Sequence, residues 1–261
     1  MPCKDLKESK KMKFKMITLN MVYLLLGFGL TVVPVYAQSS RKPSNSNIKI
    51  FVEYRLAKDN LLKNDNIKVN VANNKILLNG TVSTIYDKNL AAKEAQKVED
   101  NIEVVNNIEV ASPDVSSEKI IKAVEKRIYN NVFYGIFDWV TVQDTNGIVT
   151  LNGWVHLPWY VQQFQNEAEK VEGVKKVVNN IKPTFGPGRI GRRAARLIYN
   201  DPEFYGMEYS ANPPIHIIVN NGTVLLEGNV MSTAQGGWAE NLVRFYTDAV
   251  SVKNNLLVTK G

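Results

Sequence analysis

Few side chains in this sequence have the types and spacing that catalysis requires. The two histidines, His156 and His216, lie far apart in the chain and have no carboxylate or serine partner at a recurring spacing. Hydrolysis needs a nucleophile, a base and a group that orients the base, and this combination is missing. No Cys/His cluster suggests zinc, no glycine string suggests a nucleotide site, and the aspartates are too scattered for a calcium loop. The sequence therefore predicts no enzyme, no metal site and no cofactor.

Four arginines have the spacing of one helix face. They stand at i, i+3, i+4 and i+7, on the side away from the apolar residues of the same segment. The stripe consists of Arg189, Arg192, Arg193 and Arg196, and a looser basic set consists of Lys119, Lys122, Lys126 and Arg127. A guanidinium group can bind phosphate through two parallel hydrogen bonds. The stripe therefore indicates either a plain solvated helix face or a site for phospholipid phosphates.

Aromatic residues are concentrated in the middle of the chain. The candidate binding residues among them are Tyr134, Trp139, Trp154, Trp159 and Tyr160. Tyrosine and tryptophan favour surfaces where one end of the side chain is apolar and the other is wet. Two interpretations stay open. In the first, some of these side chains pack between parts of the chain or cap its core, which we expect most of all for Phe137 and Phe164. In the second, they form a patch that binds lipid or a protein partner.

Three copies of one short pattern must position these residues. The copies occupy residues 73–82, 146–155 and 221–230, and each has Asn-Asn or Asn-Gly, alternating apolar residues, a glycine and then a valine two positions later. An Asn-Asn pair begins 26 residues after each glycine, at Asn106, Asn179 and Asn254. Self-similarity in so constant a register predicts tandem homologous modules.

Each copy predicts a β-hairpin, because asparagine and glycine accept the positive φ angles of a tight turn. A helical apolar pattern precedes each hairpin: Ile120, Ile121, Val124 and Ile128 in copy two, Ile190, Ala194, Leu197 and Ile198 in copy three, and a weaker set, Ile50, Tyr54, Leu56 and Ala57, in copy one. A second helix follows, such as 88–98 or 161–171. We expect it to end near Asp100, Gly173 or Asp248, where a left-handed cap is possible. A last strand completes each copy, at 103–110, 175–181 and 250–258.

These elements predict an α+β fold of three tandem αββαβ sandwich modules. In each module two helices cover one face of a small mixed three-stranded sheet, and the last strand runs parallel to the second strand. Gly80, Gly153 and Gly228 fall on the inward side of their strands. We expect these structural glycines to leave space for a helix close to the sheet. Trp154 follows Gly153 and should therefore lie on the uncovered face.

The repeated pattern resembles the BON domain, a module named for a bacterial osmotically induced periplasmic protein and for nodulation proteins. The resemblance rests on apolar-Leu-x-Gly-x-Val, on a helix with a central alanine (Ala95, Ala168), and on Gly173, Val174, Val177 and Asn179 in the order Gly-Val-x-x-Val-x-Asn. Copies one and three depart from it at the Gly-Val position, and copy three carries Gly236-Gly237 in its second helix. The resemblance implies a non-enzymatic periplasmic protein of envelope maintenance or osmotic stress, and phospholipid binding.

The first 37 residues have the pattern of a secretory signal. Lysines precede an uncharged apolar run from Met21 to Val33, and Val35-Tyr36-Ala37 supplies a small-residue cleavage site. An uncleaved anchor is the alternative, and the start is either Met1 or Met12. The only cysteine, Cys3, belongs to this segment, which suits a periplasmic protein without disulfides. This segment also holds six of the 32 basic and two of the 25 acidic residues, so the remainder carries a net charge of only +3.

We therefore predict a signal peptide at 1–37, a linker at 38–45, and modules at 46–112, 115–184 and 186–259. The predicted function is binding of anionic phospholipid or a membrane surface through the aromatic residues of module two and the basic helix faces. A periplasmic chaperone or scaffold that binds exported envelope proteins is the alternative. Nucleic acid is not expected as a partner, since export and a nearly neutral charge both disfavour it.

Overall fold

The computed structural model describes residues 43–63, 65–111 and 113–259. The chain from Pro43 onwards forms a compact unit of its own. The predicted signal peptide, 1–37, and positions 38–42 of the predicted linker lie outside the described residues. In the described part of the chain, no helix is long and apolar enough to cross a bilayer.

Three modules repeat the order helix, hairpin, helix and strand, which confirms the predicted fold class. Module one consists of α1 (Asn45–Lys58), β1 (Lys68–Ala72), β2 (Lys75–Val82), α2 (Ile85–Gln96) and β3 (Glu103–Val110). Module two consists of α3 (Ser117–Tyr129), β4 (Trp139–Thr145), β5 (Ile148–Val155), α4 (Trp159–Glu169) and β6 (Lys176–Pro183). Module three consists of α5 (Gly188–Tyr199), β7 (Ile215–Asn220), β8 (Thr223–Val230), α6 (Thr233–Tyr246), β9 (Ser251–Asn254) and β10 (Leu257–Val258). A short 3₁₀ helix, Met207–Tyr209, precedes β7.

Each sheet has the predicted mixed topology. The hairpin strands are antiparallel, and the last strand of each module runs parallel to the second hairpin strand; in module three both β9 and β10 pair with β8. Buried and more exposed residues alternate along β2, β5 and β8. Each module therefore has a separate hydrophobic core between one sheet face and its two helices.

The hairpin turns have the geometry that the sequence predicts. Asn73 and Asn74 have φ angles of 51° and 59°, Asn146 and Gly147 have 54° and 85°, and residues 221 and 222 have 48° and 79°. Positive φ at both central residues is the geometry of a type I′ turn, whose twist matches that of the flanking strands.

The predicted role of the three structural glycines is wrong. A Cβ atom on Gly80, Gly153 or Gly228 would lie 2.2, 1.9 or 2.2 Å from a backbone carbonyl oxygen of the segment that starts the hairpin, and not against a helix. Their φ angles of 141°, 138° and 124° are also open almost only to glycine. These residues therefore let the two hairpin strands approach closely at the start of each sheet.

The repeated Asn-Asn pairs tie the last strand to its surroundings. The side-chain amides of Asn106, Asn179 and Asn254 donate to a carbonyl oxygen of the second helix at 2.8, 2.9 and 3.1 Å. Their side-chain oxygens accept from the backbone N–H two residues later. The second asparagine of each pair donates across to the neighbouring strand. The constant register of the repeat thus reflects a constant set of hydrogen bonds.

Two local predictions differ from the structure. Helix α1 buries Ile48, Val52 and Leu56, whereas Ile50 and Tyr54, which we assigned to its inner face, are exposed. The expected left-handed residue after the second helix occurs at Gly173, with φ of 86°, but not at the equivalent aspartates. In contrast, α6 is continuous through Gly236 and Gly237, as predicted.

Candidate functional site

The arginine stripe lies on α5, the first helix of module three. This helix buries Ala194, Ala195 and Ile198 in the core of the module. All four arginines of the stripe are exposed: Arg189, Arg192, Arg193 and Arg196. Arg189 lies 2.8 Å from the carboxylate of Asp248, but both side chains are well exposed, so this ion pair is weak. Among the described residues, the other three arginines have no ion-pair partner.

Three of these arginines line an open groove that runs along α5 and past its end. The groove is lined by Arg189, Arg193, Arg196, Leu197, Asn200, Asp201 and Pro202. Three guanidinium groups and one carboxylate leave the groove with a net positive charge. An anion with several oxygens, such as a phosphate ester, matches the donors that these side chains present.

An exposed aromatic side chain of α6, Trp238, adjoins this groove. The indole N–H of Trp238 donates to Asp201 at 3.0 Å, so the ring lies beside the groove lining. Trp238 is 47% exposed and Phe245, seven residues later on the same face of the helix, is 71% exposed. The helix layer of module three therefore combines free arginines with apolar rings. Sequence reasoning missed both rings, although their spacing of seven residues was a usable signal.

The looser basic set lies on α3, the equivalent helix of module two, and two of its four members form ion pairs. Lys122 lies 2.6 Å from Glu118, and Arg127 lies 3.3 Å from Glu167, which is nearly buried. Glu167 also pairs with Lys170 at 2.8 Å. These acids lower the net positive charge that α3 presents to a ligand.

Two of the predicted binding aromatics of module two are mostly covered. Tyr160 belongs to the core of module two, and Tyr134 packs against this core. Burial and the nearby Tyr129 hydroxyl raise the pKa of Tyr134 well above its ordinary value. Trp159 stays half exposed, with its ring 4.2 Å from that of Tyr160 and 4.7 Å from that of Phe133. Lipid or partner binding by this group stays a prediction, and Trp159 is its most accessible member.

Trp139 and Trp154 are paired across β4 and β5 and are partly buried. The ring of Trp139 lies 4.9 Å from that of His216, which belongs to module three. The ammonium group of Lys182 lies 5.7 Å from the ring of Trp154. Trp139 therefore helps to join modules two and three, as the packing interpretation predicts for part of this set.

The joint itself is formed by residues 131–138, which we call the connector. Its Ile136 carbonyl accepts a hydrogen bond of 2.7 Å from the backbone N–H of Ile217 in β7. Ile136 and Phe137 pack against the core of module three, although they belong to the chain segment of module two. The Tyr134 hydroxyl donates to the Asn212 side chain at 3.3 Å. Module two thus supplies part of the neighbouring hydrophobic core.

A family model of the BON domain matches residues 45–112, 118–183 and 207–260, which together make up more than half of the chain. The chain belongs to the BON-domain family. The prediction of three tandem BON modules is therefore confirmed. The third match begins after α5, although the structure places this helix where a BON module has its first helix. The arginine helix thus lies outside the part of module three that the family model matches.

Two similar solved structures are both of CdsD, described as a structural protein of the type III secretion system of Chlamydia trachomatis. The first is 11% identical, with 82% of this chain and 93% of that chain covered and a TM-score of 0.25. The second, its C-terminal domain, is 12% identical, with 83% and 100% covered and the same TM-score. A likeness at this level carries no argument about function. The comparison with curated proteins found no match.

The histidines of BON modules two and three both belong to the joint. His156 has a carboxylate partner that has no counterpart at His216: its Nδ1 lies 2.9 Å from the buried Asp138. Asp138 also accepts hydrogen bonds from the backbone N–H groups of Gly135, at 3.2 Å, and His156, at 2.9 Å. These bonds hold the connector against the end of β5. His216 is fully buried with Nδ1 3.2 Å from the Gly135 carbonyl, and burial lowers its pKa to about 4.

Neither histidine of these BON modules has the surroundings of a metal site. Within residues 43–63, 65–111 and 113–259, no group of three or more His, Cys, Asp or Glu side chains is placed to hold a metal ion. The contacts of both histidines stabilise the joint.

Proposed function

We propose that this BON-domain protein binds anionic phospholipid surfaces through the helix layer of its third module, without catalysis. The observation that carries the proposal is the exposed stripe of four arginines on α5, with the exposed ring of Trp238 beside its groove and that of Phe245 on the same face of α6. Arginine and an aromatic ring suit the headgroup zone of a bilayer, where phosphates meet the first apolar groups.

The expected energies indicate that both the rings and the arginines contribute to membrane binding. Burying half of an aromatic side chain of ~150–250 Å² contributes about 2–3 kcal/mol. Each arginine near an anionic surface contributes about 1 kcal/mol. Two rings and four arginines together contribute about 8–10 kcal/mol, a sum within the range of about 4–15 kcal/mol that association costs. In this account the rings provide much of the affinity, and the arginines provide the preference for anionic lipid.

The cellular setting is part of the same proposal. The signal-like pattern of residues 1–37 and the family both support export to the periplasm and a role in envelope maintenance or osmotic stress. In this setting the ligand is the headgroup layer of a membrane, and the protein acts by adhesion.

The test is co-sedimentation of the chain from Gln38 onwards with neutral phosphatidylcholine vesicles and with vesicles that contain phosphatidylglycerol. We expect clear binding to the anionic vesicles that weakens as salt rises, because screening shortens the reach of the arginine charges. Equal recovery in the supernatant with both kinds of vesicle, at low salt, would contradict the proposal.

Binding of exported proteins is a second candidate. The Ile136–Ile217 hydrogen bond supports it, because here one edge of a BON sheet accepts a backbone segment from outside its own module. Addition of an extended segment to a free sheet edge is a common mode of peptide recognition. Salt separates the two candidates, since binding of an apolar client should resist salt that weakens binding to phosphates.

A further inference from the structure

The last strand of module three leaves an apolar sheet edge open. β10 lies at the outer edge of its sheet, and no further strand of the described chain pairs with it on that side. Leu257 and Val258 in β10 are 64% and 50% exposed, and the nearby Met231, which directly follows the partner of Val258 in β8, is 79% exposed. We call residues 254–259 the β10 edge. Their order is Asn-Asn-Leu-Leu-Val-Thr, so the edge carries no charge.

The equivalent edges of the other two modules are charged. Each last strand pairs in parallel with the second hairpin strand of its module. Opposite the residue that follows the repeated glycine lies Glu109 in β3, Lys182 in β6 and Leu257 in β10. In β6 the next residue is Pro183. A charge or a proline on an edge strand hinders its pairing with another molecule. Modules one and two therefore have a protected edge, and module three does not.

The backbone of the β10 edge has hydrogen-bonding groups to spare. The N–H groups of Asn255 and Thr259 point inward and donate to β8 at 2.9 and 3.0 Å. Because the direction alternates along a strand, the N–H and C=O groups of Leu256 and Val258 point outward. The Leu256 N–H donates to the side chain of Asn254 at 3.1 Å. The Val258 N–H and the two outward carbonyl oxygens have no partner within the described chain.

A second copy of the same edge matches these groups. When two β10 edges run antiparallel about Leu257, each Val258 N–H lies opposite the Leu256 carbonyl of the other copy, which gives two hydrogen bonds. The two Leu257 side chains then lie side by side on the sheet face away from the helices. The same arrangement at β3 or β6 would bring two glutamates or two lysines together, and like charges directly opposite are destabilising. The β10 edge is therefore suited to pair with itself, and the other two edges are not.

We propose that two copies of this protein associate through their β10 edges into a two-fold symmetric dimer. The two sheets of module three become one continuous sheet, and the symmetry axis of such an antiparallel pair is perpendicular to it. Both helix layers therefore lie on the same side, and the α5 arginines of both copies face the same way. The dimer forms without lipid. On the proposed function it presents two helix layers to one membrane, which raises the affinity through avidity.

The mass of the chain from Gln38 onwards, measured by sedimentation equilibrium without vesicles, is the first test. The contact is small, so we expect a weak dimer with a dissociation constant of roughly 10–100 μM. Leu257→Lys with Val258→Pro introduces the residues that β6 has at these positions, so the variant should fold. It also removes the Val258 N–H, and it should weaken the dimer at least tenfold. The control Val132→Lys adds the same charge at an apolar side chain that is 89% exposed, and should leave the dimer unchanged.

A cross-link tests the register of the contact. The chain from Gln38 onwards contains no cysteine, so Leu257→Cys and the equivalent Lys182→Cys each provide a single thiol. Opposite residues at a non-hydrogen-bonded position of an antiparallel pair have Cα atoms about 4.5 Å apart, which is within the range of a disulfide. With diamide as the oxidant, we expect at least fivefold more covalent dimer from Leu257→Cys than from Lys182→Cys.

The outcomes separate the dimer from the proposed function. A chain that stays monomeric at about 0.5 mM, well above the expected dissociation constant, overturns the dimer and leaves the edge to a partner of another kind. A dimer that persists in Leu257→Lys with Val258→Pro also overturns it, because the contact then lies elsewhere. Equal cross-linking at positions 257 and 182 shows random collision and overturns it as well. Vesicle co-sedimentation is a separate measurement, so a failure of lipid binding leaves the dimer standing.

Discussion

Modules two and three share one fold but direct their aromatic and basic residues differently. In module two, Tyr134, Trp139 and Tyr160 face the core or the joint, and part of the basic set on α3 is neutralised by Glu118 and Glu167. In module three, the α5 arginines, Trp238 and Phe245 face solvent. Module two supports its neighbour through the connector, whereas module three leaves arginines and rings of its helix layer exposed. Aromatic content alone therefore does not indicate which module binds.

Modules two and three share one fold, so the equivalent glycine substitution should destabilise each of them. Gly153→Ala and Gly228→Ala each place a Cβ within about 2 Å of a carbonyl oxygen, at a φ angle that alanine avoids. We expect a loss of about 4 kcal/mol or more in the free energy of unfolding for either variant. Thermal unfolding followed by circular dichroism measures the loss. Gly237→Ala is the matched control, since its Cβ has open space within a helix and should be neutral or mildly stabilising.

The joint is where the two modules should differ most. Phe137→Ala removes a ring that packs against the core of module three, and we expect a loss of about 2–3 kcal/mol. Because the ring belongs to module two, the transitions of the two modules should also separate in calorimetry. Tyr209→Ala, at a ring that is 86% exposed, should leave the transition unchanged. A single unaltered transition in Phe137→Ala would show that the connector contributes no coupling.

The joint should also weaken in acid. Burial lowers the pKa of His216 from 6.5 to about 4, so the folded state binds fewer protons than the unfolded state between these values. The contribution of the buried, neutral His216 to the free energy of unfolding is therefore fully present above pH 6.5. It is lost as the pH falls towards 4, by up to about 3 kcal/mol. Urea unfolding at a series of pH values measures this decline. His216→Gln cannot titrate, and its stability should be flat between pH 6.5 and 5.5. An identical slope in both proteins would contradict this role of His216.

Single tryptophan substitutions compare vesicle binding by the two modules, and their expected effect is the smallest. Trp238→Ala removes an exposed ring beside the arginine groove and should reduce binding to anionic vesicles roughly tenfold, or about 1.4 kcal/mol. Trp154→Ala removes a partly buried ring beside Lys182 and should change binding less than twofold. A larger loss of vesicle binding for Trp154→Ala than for Trp238→Ala in co-sedimentation would place the binding surface on module two.

The sequence predicts the elements of this molecule better than their contacts. The Asn-Gly turns and the parallel last strand follow from local signals, and the structure confirms them. The glycine role was wrong because the atom that excludes a side chain belongs to the segment that starts the hairpin, a contact that sequence periodicity does not show. The inner face of α1 was wrong because this helix has apolar residues on two sides, so periodicity alone does not choose between Val52 and Tyr54.

The candidate site was predicted only in part for a related reason. The arginine stripe follows from helical spacing, and α5 does expose it. Its neighbours on α6 were missed, since only the packing of α5 against α6 brings Trp238 beside Asp201. The connector was also beyond sequence reasoning, because Ile136 and Phe137 find their partners in a different module.

A matched charge reversal on the two equivalent helices tests the central claim most directly. Arg192→Glu with Arg196→Glu on α5 and Lys122→Glu with Lys126→Glu on α3 change the net charge of the protein by the same amount. The account predicts that the α5 pair reduces binding to vesicles containing phosphatidylglycerol at least tenfold at low salt, while the α3 pair reduces it less than threefold. Equal losses would show that only overall charge matters, and would contradict a binding surface on the helix layer of module three.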